Sequence, residues 1–593
     1  MLKSCRHILL TGLFGFLFLV IFKAGLLYHL EQYSLFCPKG DYLLRFFEQP
    51  GGLLALAGAF LTQFCHFPIF GAALFALLLC LLVFLTEKAF ALEGRAVWLS
   101  VLPALFALLF VTRWDYSIYL FKAYGLLYSQ LLGFCVTAAL LLLYRKCCLG
   151  KRLSPLFVAA TVSVGYALFG AFALLAGLLM ALLALREGKR GFVDLGVALL
   201  LGAAVPWLCG ELSGIFPRIH RKFVYFAALP YKEFVANSIC QVPLILAAAS
   251  MVALCFLRKA GRIAVPAIVA AALLLTVGGT NWDRGFRTVV DMERAISVQD
   301  WDKVLKLAEK EKTPNRIHVL YRNLALYAKG SLTDKMSLYP DGDEPLHSSA
   351  VFPFSYICAA PVLYYCGMLN PCDRLAMEYS STFCKNIHYY KYQAKTALLS
   401  GEYELARKYL DMVDANWFEG KWVRRYRTFL DNPALMDDDP EYRLLRPLLQ
   451  IAWTKYDAIA PLEEMLWINF ADPDYVNEAV FEWQAANYMI RKDEEMTLYS
   501  VFNRHELYPE APIGTALAEA AALFTSRTGD IEMMREMATV LASKESVLRR
   551  FSSFSAAVNN RDMNSDKAKE WFSAHYSRTY WYYYYFVNVN TNR

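Results

Sequence analysis

Apolar residues follow two patterns along this chain. From Ile8 to Val277 they come in long unbroken runs; after Gly279 they recur at helical spacing among polar residues. The runs Ile8–Leu27, Ile69–Leu85, Val97–Val111, Tyr119–Leu143, Leu156–Leu185, Phe192–Leu208, Val242–Leu257 and Ile263–Val277 predict membrane-crossing helices. Leu156–Leu185 is 30 residues long, with Gly165 and Gly170 on either side of Tyr-Ala-Leu-Phe. It predicts a hairpin of two short helices, so the runs amount to about nine spans. The first run follows Lys3 and Arg6, lacks a small-residue cleavage site, and is read as a retained span in which Lys23 snorkels from near the outer end.

Two stretches between spans are too long and too patterned to be simple connectors. His29–Pro68 holds the turn Pro50-Gly51-Gly52 and the amphipathic LLALAGAFLTQF, which predicts interfacial helices lying on the membrane surface. The other is the loop 210–240, with a basic PRIHRKF segment.

Beyond Gly279 three places share a turn-then-helix grammar: Asp300-Trp301 followed by Val304, Gly401-Glu402-Tyr403 followed by Ala406, and Gly529-Asp530-Ile531 followed by Met534. Trp301 and Tyr403 are 102 residues apart, three periods of the 34-residue tetratricopeptide unit. The expected fold is therefore all-α, with a polytopic bundle over 1–279 and a degenerate tetratricopeptide-like α-solenoid over 280–593. Helix pairs should run from Asp291 to Glu570, with Ala406 buried inside one of them. The chain closes on Tyr580-Trp581-Tyr582-Tyr583-Tyr584-Tyr585-Phe586, which reads as a cap on the last helices, an interfacial belt or a platform for sugar.

Charge adds orientation. Of 60 Lys+Arg and 53 Asp+Glu, 23 and 10 precede Thr280, so the first half carries +13 and the second, with 37 against 43, carries −6. Fourteen of those bases fall in one alternating set of loops, including Arg145, Lys151, Arg152, Arg186 and Arg258. The positive-inside rule then puts the N-terminus in the cytoplasm and the second half in the periplasm of a bacterial inner membrane. The second half has no basic stripe, which excludes nucleic acid as a partner.

Candidate chemistry is sparse. There is no phosphate-binding glycine loop, dinucleotide fingerprint, nucleophile elbow or zinc-ligand spacing, so any cofactor is left unknown and no metal site is expected. Arg218, His220, Arg221 and Lys222 oppose the positive-inside trend and suggest binding of a lipid phosphate or polyprenyl phosphate, or pairing with phospholipid headgroups. Asp41, Glu48 and Asp115 are the acids that could act as a base beside them. Cys358, Cys366, Cys372 and Cys384 read as buried free thiols or as two disulfides.

PGGL at Pro50–Leu53, FLTQF at Phe60–Phe64, GEYELARKYLDMV at Gly401–Val413 and the terminal YWYYYYF resemble an uncharacterised family of Bacteroidota multi-pass inner-membrane proteins. That resemblance implies architecture and not activity. The layout of the first half is similar to that of the GT-C glycosyltransferases, from which it departs in having no paired acids after the first span. The function expected is a membrane-anchored periplasmic scaffold for a protein partner, in cell-envelope assembly or in polysaccharide or protein export. The alternative is a GT-C-like transfer from a polyprenyl-phosphate-linked sugar.

Overall fold

The computed structural model describes residues 5–120, 125–188, 191–211, 216–217, 221–230, 241–257, 264–346, 354–449, 461–471 and 477–589. Every regular element among them is helical and none is a strand, so the all-α class holds.

Among the described residues the nine spans reduce to four or five. Pro68–Phe90, Gly94–Thr112, Leu126–Cys147 and Gly191–Glu211 are long and apolar enough to cross a bilayer, and Arg6–Phe22 with Ala24–Gln32 is a fifth if that bent pair counts as one. The apolar helices Gly52–His66, Ser154–Phe169, Val242–Leu254 and Ala264–Gly278 are each 10–17 residues. At 1.5 Å per residue, about 16 residues reach only about 24 Å of a ~30 Å hydrocarbon core. Hydropathy registers apolar residues without registering where glycine or proline ends a helix.

Gly170, with φ +58°, makes such a break. It divides the 30-residue run into Ser154–Phe169 and Ala171–Glu187, which fold back so that Gly165 faces Ala173 and Gly177 faces Val162, the expected hairpin. Gly125, with φ +61°, opens Leu126–Cys147 against Gly52–Thr62; a Cβ there would lie 2.1 Å from the Ala59 amide nitrogen, so only glycine fits.

The chain leaves the first helix through an 81° bend at Lys23. Lys23 does not snorkel. Its side chain is buried and its ammonium donates to the Asn281 carbonyl, satisfying a charge that a tight bend would otherwise strand. The following helix, Ala24–Gln32, is not wholly interfacial either: Leu26 through Gln32 are buried, packed against Arg284–Ser297 and Ile387–Leu399 of the second half.

In that second half the local grammar reads correctly. Asp300 caps Trp301–Lys310 by accepting the Lys303 amide, Gly401 takes φ +76° ahead of Tyr403–Asp414, and Asp530 caps Ile531–Val540 through the Glu532 and Met533 amides. Each side-chain cap contributes about 1 kcal/mol. Ala406 is fully buried. Sequence-adjacent helices pack on one another, yet late helices also return to early ones, as Thr333 donates to Glu482 and the Thr515 amide to Asp334. Such returns are not the neighbour-only stacking that defines a solenoid. The terminal aromatics form the helix Tyr580–Phe586, with Tyr580 and Tyr583 hydroxyls donating to the Met489 and Ile490 carbonyls and the Trp581 indole to that of Glu519. This is the capping arrangement. Cys358, Cys366, Cys372 and Cys384 are buried free thiols.

Candidate functional site: a buried acid and histidine layer

The segment Tyr28-His29-Leu30-Glu31-Gln32-Tyr33 follows the bend and holds more polar groups than a buried helix tolerates unpaired. At 100° per residue, His29 and Tyr33 share one side, while Tyr28, Glu31 and Gln32 share another. Each side meets its own set of partners from the second half.

On the first side stands Glu293, from Arg284–Ser297. Its Oε1 accepts the Tyr33 hydroxyl at 2.9 Å and its Oε2 the Tyr119 hydroxyl at 2.7 Å. His29 Nδ1 lies 3.4 Å from Oε2, and His388 Nδ1 lies 3.4 Å from Oε1. The Tyr33 ring is stacked between the two imidazoles, with centroids 4.3 Å from His29 and 4.8 Å from His388. Burial pushes the Glu293 carboxyl up, but His29, His388 and the Tyr119 hydroxyl outweigh it and hold the group at about 2. Burial drives His388 down to about 4 despite the pull of Glu293. Both histidine Nε2 atoms are buried without a hydrogen-bond partner.

The second side holds Glu31, His66 and Glu419. One ligand-type atom from each lies within 4.8 Å of the others. Gln32 Nε2 donates to Glu31 Oε2 at 2.6 Å and to Glu419 Oε1 at 2.8 Å, and Lys391 Nζ donates to Glu419 Oε1 at 2.8 Å and to Gln32 Oε1 at 2.9 Å. Burial pushes Glu419 up, but the Lys391 ammonium outweighs it and holds the carboxyl below its ordinary range. His66 Nδ1 stands 3.7 Å from Glu31 and 3.8 Å from Glu419. Two carboxylates and an imidazole suit a divalent cation such as Mn²⁺ or Zn²⁺. The oxygens it would use already receive Gln32 and Lys391, so a bound ion would have to displace the Gln32 amide.

Above this cluster lies an aromatic rim. The Trp417 ring sits 5.1 Å from Phe60 and 5.9 Å from Phe64, and Phe418 stacks on His66 at 5.8 Å. Trp417, Phe67 and Phe70 are exposed, as an interfacial belt would be, and His66 is the partly open member of the triad beneath. Backbone contacts join the same seam: the Phe36 amide donates to Asn416, the Trp417 amide to Gln63, and the Ile387 amide to the Ser34 carbonyl. A cleft of about 540 Å³ opens elsewhere along the junction, between Tyr116, Asp283, Arg287, Lys310 and Asn315.

The residues singled out from sequence sit elsewhere. Asp41 is exposed in the first turn of Gly40–Phe46, and Glu48 is half-buried just beyond it. Asp115 accepts the Ser117 amide at 2.8 Å and so caps its own turn, next to Tyr116 in the cleft. Arg221 is exposed and pairs with Glu211 at 3.3 Å, and Lys222 is exposed beside it. Arg218 and His220 lie outside the described residues. None of the described ones belongs to the buried layer. Glu31 is visible in sequence as an isolated acid, and the signal that marks it is a His-x-Glu-Gln polar run directly after an apolar one.

A family described as a family of unknown function, DUF6057, matches residues 2–587. No curated protein and no solved structure matches the chain.

Proposed function

The chain belongs to that family of unknown function, and on this premise we propose that it is a membrane-anchored scaffold whose helical half holds a protein partner at the bilayer surface, in cell-envelope assembly or export. The observation that carries this reading is the junction layer. Ala24–Gln32 enters the second half and is paired there, His29 with Glu293 and Gln32 with Lys391 and Glu419, so the helical half is fixed to the membrane helices instead of hanging from a linker. A rigid seam of this kind suits a protein that presents a surface at fixed height. The exposed stripe Ile531, Met534 and Ala538 on Ile531–Val540 is one such surface. The periplasm is the proposed side, on the strength of the basic loops.

The test places a photo-crosslinking residue at Ile531 or Met534 in intact cells. A discrete protein adduct is expected. A periplasm-only reporter on the C-terminus should be active. No adduct at either position, or an inactive reporter, refutes this reading.

One observation favours a second reading, a GT-C-like transfer from a polyprenyl-phosphate-linked sugar: Glu31 converges with His66 and Glu419 under a lipid-facing aromatic rim. A divalent cation held there would supply charge for a departing phosphate. This reading requires Mn²⁺ binding that Glu31→Gln abolishes, detected by electron paramagnetic resonance, together with loss of lipid-linked sugar turnover.

A further inference from the structure

A second polar site lies far from the junction, at the end of the bundle that carries the basic loops. Asp194 sits in the first turn of Gly191–Glu211 and is almost completely buried. Its Oδ2 is saturated, taking the Tyr144 hydroxyl at 2.9 Å and the Ser154 hydroxyl, which are themselves 2.6 Å apart. Its Oδ1 is buried and has no partner. A carboxylate with one oxygen satisfied twice and the other left bare lacks a donor, and a cationic one fits best.

Asp194 lines a pocket of about 400 Å³ together with Ser154, Lys151, Arg152 and Glu187. That volume exceeds what a lone ion needs and matches a small organic group. Lys151 and Arg152 are exposed at the mouth and form no ion pair among the described residues. The flanking surface is apolar: Leu153, Leu156, Phe192 and Val193 are all more than half exposed, at the starts of the apolar helices Ser154–Phe169 and Gly191–Glu211. The pocket thus offers a buried anion, two outer cations and an apolar rim, in that order from inside to outside.

We propose that this pocket seats an aminoethyl phosphate group, with its ammonium on Asp194 Oδ1 and its phosphate between Lys151 and Arg152. The apolar rim identifies the bearer as phosphatidylethanolamine, whose chains would lie along Phe192 and Leu156. A primary ammonium brings N–H donors to Oδ1. The quaternary choline headgroup has none, and phosphatidylglycerol has no cation at all.

Native mass spectrometry of the full-length protein, exchanged into nanodiscs with equal phosphatidylethanolamine, phosphatidylcholine and phosphatidylglycerol, reads the retained lipid. Wild type should keep phosphatidylethanolamine about tenfold over either competitor, the scale of one charge-assisted hydrogen bond. Asp194→Asn should bring that ratio close to one. The exposed pair Lys151→Gln/Arg152→Gln, which leaves the core untouched, should lower retention of both phosphatidylethanolamine and phosphatidylglycerol. In a second arm, soluble phosphoethanolamine is added to nanodiscs of phosphatidylglycerol alone. A rise in unfolding temperature that Asp194→Asn loses, without lipid selectivity in the first arm, assigns the site to a soluble aminoalkyl phosphate. Equal retention of the three lipids with no response to phosphoethanolamine overturns the proposal. So does selectivity that survives Asp194→Asn, or retention unmoved by the double variant.

Discussion

Replacing Lys391 by methionine should destabilise the junction more than any other single change in the layer. Lys391 Nζ is 2.8 Å from Glu419 Oε1 and 2.9 Å from Gln32 Oε1, and both carboxylates of the triad lie within reach of it through Gln32. Methionine fills nearly the same volume but removes the only lysine ammonium in the cluster. Glu419 is then buried next to Glu31 with only the Gln32 amide and the His66 imidazole facing it, and breaking a buried pair from one side costs about 3–5 kcal/mol. In a chain of 593 residues that is on the order of 2–4 °C in unfolding temperature, read by tryptophan fluorescence of the purified protein in detergent. The pH dependence identifies the cause. In wild type, Glu419 sits below its ordinary range, so its contribution is present above about pH 4.3 and is lost as pH falls through the folded value. Without Lys391, burial should outweigh what Gln32 and His66 still contribute and raise the folded value, so the ionised carboxylate carries a penalty that acid relieves. The gap between variant and wild type should therefore be full at pH 7.5 and close towards pH 4. Adding Glu419→Gln should restore most of the loss at pH 7.5. A single variant within about 0.5 kcal/mol of wild type, or a double variant no better than the single, would refute the reasoning.

Further outcomes follow from the same geometry. Glu293, held at about 2 in the fold, contributes stability that is present above about pH 4.3 and disappears as pH falls towards 2, so Glu293→Gln should flatten that part of the acid-unfolding curve. Burial raises Glu519 to about 7, and its side chain accepts the Tyr580 amide at 2.7 Å. The folded state then binds more protons than the unfolded between about pH 4.3 and 7. Docking of Tyr580–Phe586 should weaken across that window, and Glu519→Gln should abolish the trend in hydrogen exchange of the terminal helix. Ala406→Asp should put an unpaired charge between Ile387–Leu399 and Tyr403–Asp414, with protease cleavage near Gly401 as the readout.

Local order was legible in the sequence. Helix type follows from apolar spacing, the breaks at Gly170 and Gly401 follow from the residue able to adopt positive φ, and the starts at Trp301 and Ile531 follow from aspartates that cap them. Each of these depends on residues within one or two turns, where side chain and backbone interact directly. Span number was less legible, because hydropathy measures composition and crossing depends on unbroken length. Of the buried layer only the polar run at His29–Gln32 could be read, and none of its partners. Glu31 and Glu419, or Gln32 and Lys391, are separated by more than 350 positions, and as single residues each looks like an ordinary exposed polar group. Only the 81° turn at Lys23 carries Ala24–Gln32 into the second half. Once there, its acids, amide and histidine are removed from water and must find partners, and the tertiary structure alone decides which.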